Sequence, residues 1–219
     1  RNQMQEVIRQ SDMNQNINDT NHPLIIKVAS IQKARMQIYF IDNDDFFTKR
    51  KATICDANGV FFEDNDDRTI FFSRGVIETI RKLNWPPDII HCNGWMTALM
   101  PIYIKRTFID NPLFTDSKIV FSIYNDDFSD SFQDGFDKKM KMNGISPKDV
   151  KHLKTTNYVN LMKTAIDFSD AIIFGSENIN PELEEYVKSS GKPFLEYQSP
   201  ENYVEAYNEF YDNLLKKEK

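Results

Sequence analysis

The stretch DIIHCNGWMTAL, Asp88 to Leu99, runs from an apolar pair through a histidine and a small polar turn into a tryptophan. Loops at the carboxyl ends of buried strands are where open α/β sheets bind ligands, so its polar residues are candidates for a site. His91 follows two apolar residues and reads as a buried, hydrogen-bonded neutral imidazole, because a catalytic base also needs a partner that orients it. His22 and His152 lie far away in the chain, and no H-x-x-x-H or H-x-H pair exists. No metal site and no cofactor are therefore expected. The acidic runs IDNDDFF and EDNDD lack the register of an EF-hand loop and read as solvated loop. In YNDDF, Tyr124 to Phe128, the Asn125 amide could hold a sugar hydroxyl or cap a turn. Trp95 could stack on a sugar ring or sit in the core. No serine, cysteine or lysine stands in a nucleophile motif, so no catalytic residue is assigned.

The elements that would position these residues alternate. Asn2 to Ile8 reads as a short helix or helix end, and Ser11 to Asn21 as polar loop. LIIKVASI and RMQIYFID are β-runs around a turn at Gln32–Lys33, which suits a hairpin from Leu24 to Ile41. Asp67 is placed to cap a helix with Ile70, Phe71, Val76, Ile77 and Ile80 at helical spacing, ending before Pro86 and Pro87. DIIHC, SKIVFSIYN and AIIFGS are strands; MTALMPIYIKRTF, NYVNLMKTAIDFSD and NPELEEYVKSSG are helices between them. PFLEYQ is a short strand or extended run. The closing helix carries Tyr203, Ala206, Tyr207, Phe210 and Leu214 on one face. This alternation implies a doubly wound parallel sheet buried on both faces, with a β-hairpin addition.

Composition sets the outer limits. The 219 residues can bury a sizeable core and are read as a single domain, 1–219. A formal charge of −6 argues against nucleic acid or an anionic membrane as partner. Only 7 glycines occur, with no G-x-G-x-x-G and no G-x-x-x-x-G-K-S/T, which speaks against a free-standing nucleotide-binding domain. Cys55 and Cys92 have no C-x-x-C spacing, so a reducing cytoplasm is the expected location, and no apolar run reaches membrane-spanning length. The residues by themselves indicate an α/β domain with a polar site at strand ends. They name no reaction.

Several segments in order resemble the N-terminal half of bacterial glycogen/starch synthases, retaining glucosyltransferases that use ADP-glucose or UDP-glucose. MQIYFIDNDDFF resembles their strand and loop ending in an aromatic residue. FFEDNDDRTIFFSRGVIETI resembles their D-N/D-x-x-R-F helix, with Arg68 retained. PDIIHCNGWMTALMPIYIK is similar to P-D-[VI]-[VI]-H-x-H-D-W-H-[AT]-[AG]-L-x-P-x-Y, KIVFSIYNDDF to [VI]-F-T-[IV]-H-N-x-x-[YF], and VNLMKTAIDFSDAIIFGSE to the family's N-x-[LM]-K segment. Together they cover roughly the middle two-thirds of the chain. The whole is most similar to a short, single-domain branch from Bacteroidetes-like bacteria.

The resemblance implies a Rossmann-like doubly wound sheet, the N-terminal half of a GT-B glycosyltransferase. It places Asn93, Gly94, Trp95, Met96, Tyr124, Asn125 and Arg68 beside the sugar. In the family the D-W-H aspartate and the H-N histidine flank the transferred glucose. Here the three polar positions of H-D-W-H are Asn93, Gly94 and Met96, and the later histidine is Tyr124. Glycine cannot hydrogen-bond through a side chain, and methionine cannot act as acid or base. The family's first strand and K-[TV]-G-G-L loop are expected before Arg1, and its C-terminal donor domain after NLLKKEK, which reads as a natural end. Two expectations follow. One is an acceptor-side half that moves glucose from ADP- or UDP-glucose to an α-glucan with a separate donor-domain protein. The other is a non-catalytic glucan-binding or regulatory relative. The partner expected is an α-glucan or nucleotide-sugar.

Overall fold

A computed structural model of the chain describes residues 5–17, 19–48, 50 and 53–216, with side chains from residue 14 onward. The chain groups into two compact units, Arg1–Lys82 and Leu83–Lys219.

The first unit holds a three-stranded antiparallel sheet in the order β1-β2-β3. Strand β2 (Thr20–Ile31) and β3 (Met36–Asp42) form the expected hairpin, pairing Ile31 with Met36 across a turn of 3-10 helix at Gln32–Ala34. The helix and loop expected from Asn2 to Asn21 are corrected: Gln5–Ile17 is strand β1, paired to β2 with two register shifts. Asn2, Gln3, Met4 and Asn18 lie outside the described residues. A glutamine- and asparagine-rich segment has weak intrinsic β preference, and here cross-strand pairing with the apolar β2 decides. Helix α1 (Asn65–Leu83) begins two residues before the expected Asp67, with Asp66 and Asp67 in its first turn, where acidic groups favour the helix dipole. A Cβ on Gly75 would lie 3.0 Å from both Ile41 Cγ2 and Leu24 Cδ1, so this glycine lets α1 approach the sheet closely. The helix ends at Leu83, and Asn84 after it takes the left-handed region, ahead of Pro86 and Pro87.

The second unit is a four-stranded parallel sheet, β4 (Ile89–Asn93), β5 (Lys118–Ile123), β6 (Ala171–Phe174) and β7 (Phe194–Leu195), in sequential order. Right-handed crossovers in one direction put the intervening helices on one face. These are α2 (Met100–Ile102), inside a longer helical run, α3 (Phe136–Lys139), α4 (Tyr158–Phe168) and α5 (Pro181–Ser189). Helix α4 packs on β5 and α2. On the other face Val120, Ala171 and Ile173 are covered by α6 (Tyr203–Leu215) through Tyr207, Phe210, Tyr211 and Leu214. Tyr203, expected on that face, is exposed.

β5 from Ile119 to Ile123 and β6 are buried on both faces, in keeping with runs that are apolar but for Ser122, whose hydroxyl meets His91. β4 is less so: Ile90 and Cys92 are buried, whereas Ile89 and His91, on the face that α6 covers, are only half-buried, since among the described residues β4 has a neighbouring strand on one side alone. The expected single helix after Trp95 is a 3-10 turn (Trp95–Thr97), α2 and a π-turn (Tyr103–Thr107) in succession, with Pro101 in the first turn of α2.

Candidate functional site

Three loops leave the carboxyl ends of β4, β5 and β6 and are tied to one another by short polar contacts. Gly94 N–H donates to Ser122 O (3.1 Å), and Gly175 N–H donates to Ile123 O (2.8 Å). Tyr124 Oη donates to Asn93 Oδ1 at 2.8 Å, and Asn125 N–H donates to Ser176 Oγ at 3.0 Å. Asn180, the N-cap of α5, donates to Asp127 Oδ2 at 2.8 Å. Asn93, Gly94, Tyr124 and Asn125 therefore converge where an open α/β sheet presents a ligand site.

The tyrosine is held by its neighbour. A Cβ on Gly175 would lie 2.5–2.8 Å from three atoms of the Tyr124 ring, so only glycine leaves room for the ring at the end of β6. Gly175→Ala is expected to cost about 1–3 kcal/mol, because the ring or the backbone must move. Urea unfolding reads this loss, and adding Tyr124→Ala to the same chain should remove most of it.

Trp95 is 5% exposed, its ring packed against Phe128 (centroids 5.9 Å) and Phe132 (6.2 Å). Its indole belongs to the core beneath the loop, and Tyr124 is the more accessible ring. Met96, on the same 3-10 turn, is half-exposed. Arg68 lies in the first unit, 2% exposed. Its guanidinium donates to Phe46 O (3.1 Å), Thr53 O (2.5 Å) and Asn65 Oδ1 (2.6 Å), which fastens α1 to the loops before it.

His91 is no free base. One ring nitrogen meets Ser122 Oγ at 2.6 Å and the other Tyr211 Oη at 2.7 Å, so a neutral ring with one donor and one acceptor satisfies both. Burial beneath α6 depresses its pKa to about 4. Burial pushes the Cys92 thiol up to about 12, which leaves it an inert packing group. Burial also raises the Asp126 carboxyl above the usual carboxylate range, with the Tyr158 hydroxyl pulling the other way.

Asp126, Tyr158, Gly175, Ser176 and Asn180 were not anticipated as site residues. The signal available for Gly175 and Ser176 was their place directly after a strand, and for Asn180 its place before Pro181 at a helix start. Nothing near Tyr211 in the chain points to His91.

The chain that carries these strand ends matches a known family. The profile of the starch synthase catalytic domain matches residues 1–192. The glycogen synthase of Chlorobium limicola is 37% identical over 123 residues, covering 56% of this chain and 25% of that one. That of Pelodictyon phaeoclathratiforme is 28% identical over 204 residues, 90% of this chain and 40% of that one. The chain thus spans well under half the length of these relatives. Among solved structures, the catalytic domain of starch synthase IV from Arabidopsis thaliana, bound to ADP and acarbose, superposes with a TM-score of 0.64 at 18% identity. That alignment covers 90% of this chain and 41% of that one, and it agrees with the Rossmann-like GT-B half seen in the parallel sheet. With its family profile matched over most of its length, the chain belongs to the starch synthase catalytic domain family.

Proposed function

We propose that this chain is the acceptor-side half of a glycogen/starch synthase-type glucosyltransferase. In this reading it binds α-glucan, and glucosyl transfer from ADP- or UDP-glucose needs a donor domain from outside these 219 residues. The observation that carries the reading is the convergence of Asn93, Tyr124 and Asn125 at the carboxyl ends of β4 and β5 in a chain of this family. Asn93 and Asn125 are exposed amides able to hold sugar hydroxyls, and the half-exposed Tyr124 ring offers an apolar face. The cytoplasm, where Cys55 and Cys92 stay reduced, is the setting proposed.

A retaining transfer needs donor phosphate contacts, a stabiliser for the positive charge developing on the sugar, and closure around both substrates. The second reading, a non-catalytic glucan-binding or regulatory relative, is favoured by position 94. Its backbone (φ 68°, ψ −178°) is open to glycine and leaves no side chain where the family's aspartate is expected. The purified chain is expected to show no turnover with glycogen and either nucleotide-glucose, and weak glycogen binding that Tyr124→Ala reduces at least fivefold. Turnover by the chain alone, abolished by Asn125→Ala, would show that no outside donor domain is needed. Turnover only after a donor domain is added supports the first reading, and binding without turnover under either condition supports the second. Absence of glycogen binding overturns both.

A further inference from the structure

Gly94 leaves a gap that another residue fills. An ideal Cβ at position 94 would lie 3.0 Å from Asp126 Oδ2 and 3.9 Å from Tyr124 Cδ2. A carboxylate delivered from the loop after β5 therefore occupies the volume that a side chain on the β4 loop would enter. The placement is fixed from below: Asp126 Oδ1 accepts from the hydroxyl of Tyr158 at 2.7 Å, and the ring of Tyr158 is 2% exposed. The backbone N–H groups of Trp95 and of Asp126 itself also donate to this carboxylate, while Asp127 beside it adds a repulsion. Among the described residues Asp126 has no salt-bridge partner, and no group of three or more acidic, histidine or cysteine side chains could hold a metal.

A half-buried carboxylate in this position has a definite chemistry. It offers about four acceptor directions, of which the Tyr158 hydroxyl and the backbone N–H groups of Trp95 and Asp126 itself use three, leaving one open to a ligand. Hydrogen bonds to an ionised acceptor are shorter and roughly twice as strong as those between neutral groups. With no cation beside it, the group is suited to neutral O–H donors, and the Tyr124 ring next to it supplies an apolar wall.

We propose that Asp126 is the hydroxyl-binding carboxylate of this cleft, and that its ligand is a pyranose ring of an α-glucan engaged through its hydroxyls. This assignment rests on the glucan-binding reading above. It adds a residue that lies outside the D-W-H and H-N positions.

Two measurements on the whole chain test it. In affinity electrophoresis through glycogen, Asp126→Asn, which keeps the shape and an acceptor for Tyr158, is expected to weaken binding at least fivefold. Glu184→Gln on the exposed face of α5 should change nothing. If Asp126→Asn binds as the wild type while Tyr124→Ala loses binding, the carboxylate assignment is wrong and the glucan reading stands. If the wild type does not bind glycogen, both fall. The second measurement needs no ligand. Gly94→Asp and Gly94→Asn impose the same backbone strain, but only the former brings a second charge to Asp126. Gly94→Asp is expected to melt lower than Gly94→Asn at neutral pH, and that gap should close when Asp126→Asn is added. A gap that persists shows that Asp126 does not fill the space at position 94.

Discussion

Between pH 6.5 and about 4 the folded chain is expected to lose about 3 kcal/mol of stability through His91, which follows from its depressed pKa and the free-energy value of that depression. The sign follows from the direction. In the fold the ring stays neutral down to about pH 4, whereas the unfolded chain takes up a proton near 6.5. Across that window the unfolded state therefore binds more protons, so stability is complete above pH 6.5 and falls as the pH drops. The cause is physical crowding: Tyr207 and Tyr211 of α6 pack their rings 5.8 Å from the imidazole, and neither Ser122 Oγ nor Tyr211 Oη carries a negative charge to welcome a proton. Urea unfolding at pH 7.5, 5.5 and 4.5 measures the slope in the wild type and in His91→Gln. The variant loses hydrogen bonds at every pH but should lack this part of the slope. Equal slopes in the two proteins would mean that His91 takes up its proton at the same pH in the folded and the unfolded chain.

Phe121→Ala is expected to cost about 3–5 kcal/mol, the range for removing a large aromatic ring from a core. Phe121 sits in the middle of β5, 0% exposed, on a strand flanked by β4 and β6 and covered on both faces. No solvent-facing side allows the surroundings to collapse into the cavity cheaply. Chemical denaturation should show the midpoint falling with an unchanged slope. A loss under 1 kcal/mol would mean that β5 is not the centre of this unit.

The two kinds of sheet were unequally legible. IVFSI is apolar but for Ser122, AIIF is apolar throughout between Asp170 and Gly175, and a strand buried on both faces needs little else from its own sequence. LIIKVASI and RMQIYFID carry alternation and a turn, so their pairing was visible too. The strand Gln5–Ile17 was not, because its β character comes from the partner it pairs with rather than from its glutamines and asparagines. Pro101 within an apolar run gave no notice that the helical segment would pass through three geometries. At the site, Asn125 could be singled out because it follows a recognisable strand, whereas Asn93, Gly94 and Tyr124 came only from the resemblance to the family's motifs. Asp126 could not, because its importance lies in a through-space distance to Gly94. The link from His91 to Tyr211 spans 120 residues of chain, and local patterns carry no information at that range.

The connectivity of the two sheets has a kinetic meaning. The β2–β3 hairpin brings Ile31 to Met36 across one short turn, a closure that isolated hairpins achieve in about 1–10 μs. The first parallel pair must bring Ile89 to Lys118, and the next Val120 to Ala171, each through a crossover whose loop entropy is lost before any ladder bond is gained. The chain thus carries a fast, local pairing near its start and a slow, non-local one after it. During synthesis from the N-terminus, β4 emerges well before β5, the strand it pairs with, and its apolar Ile90 and Cys92 wait for that partner.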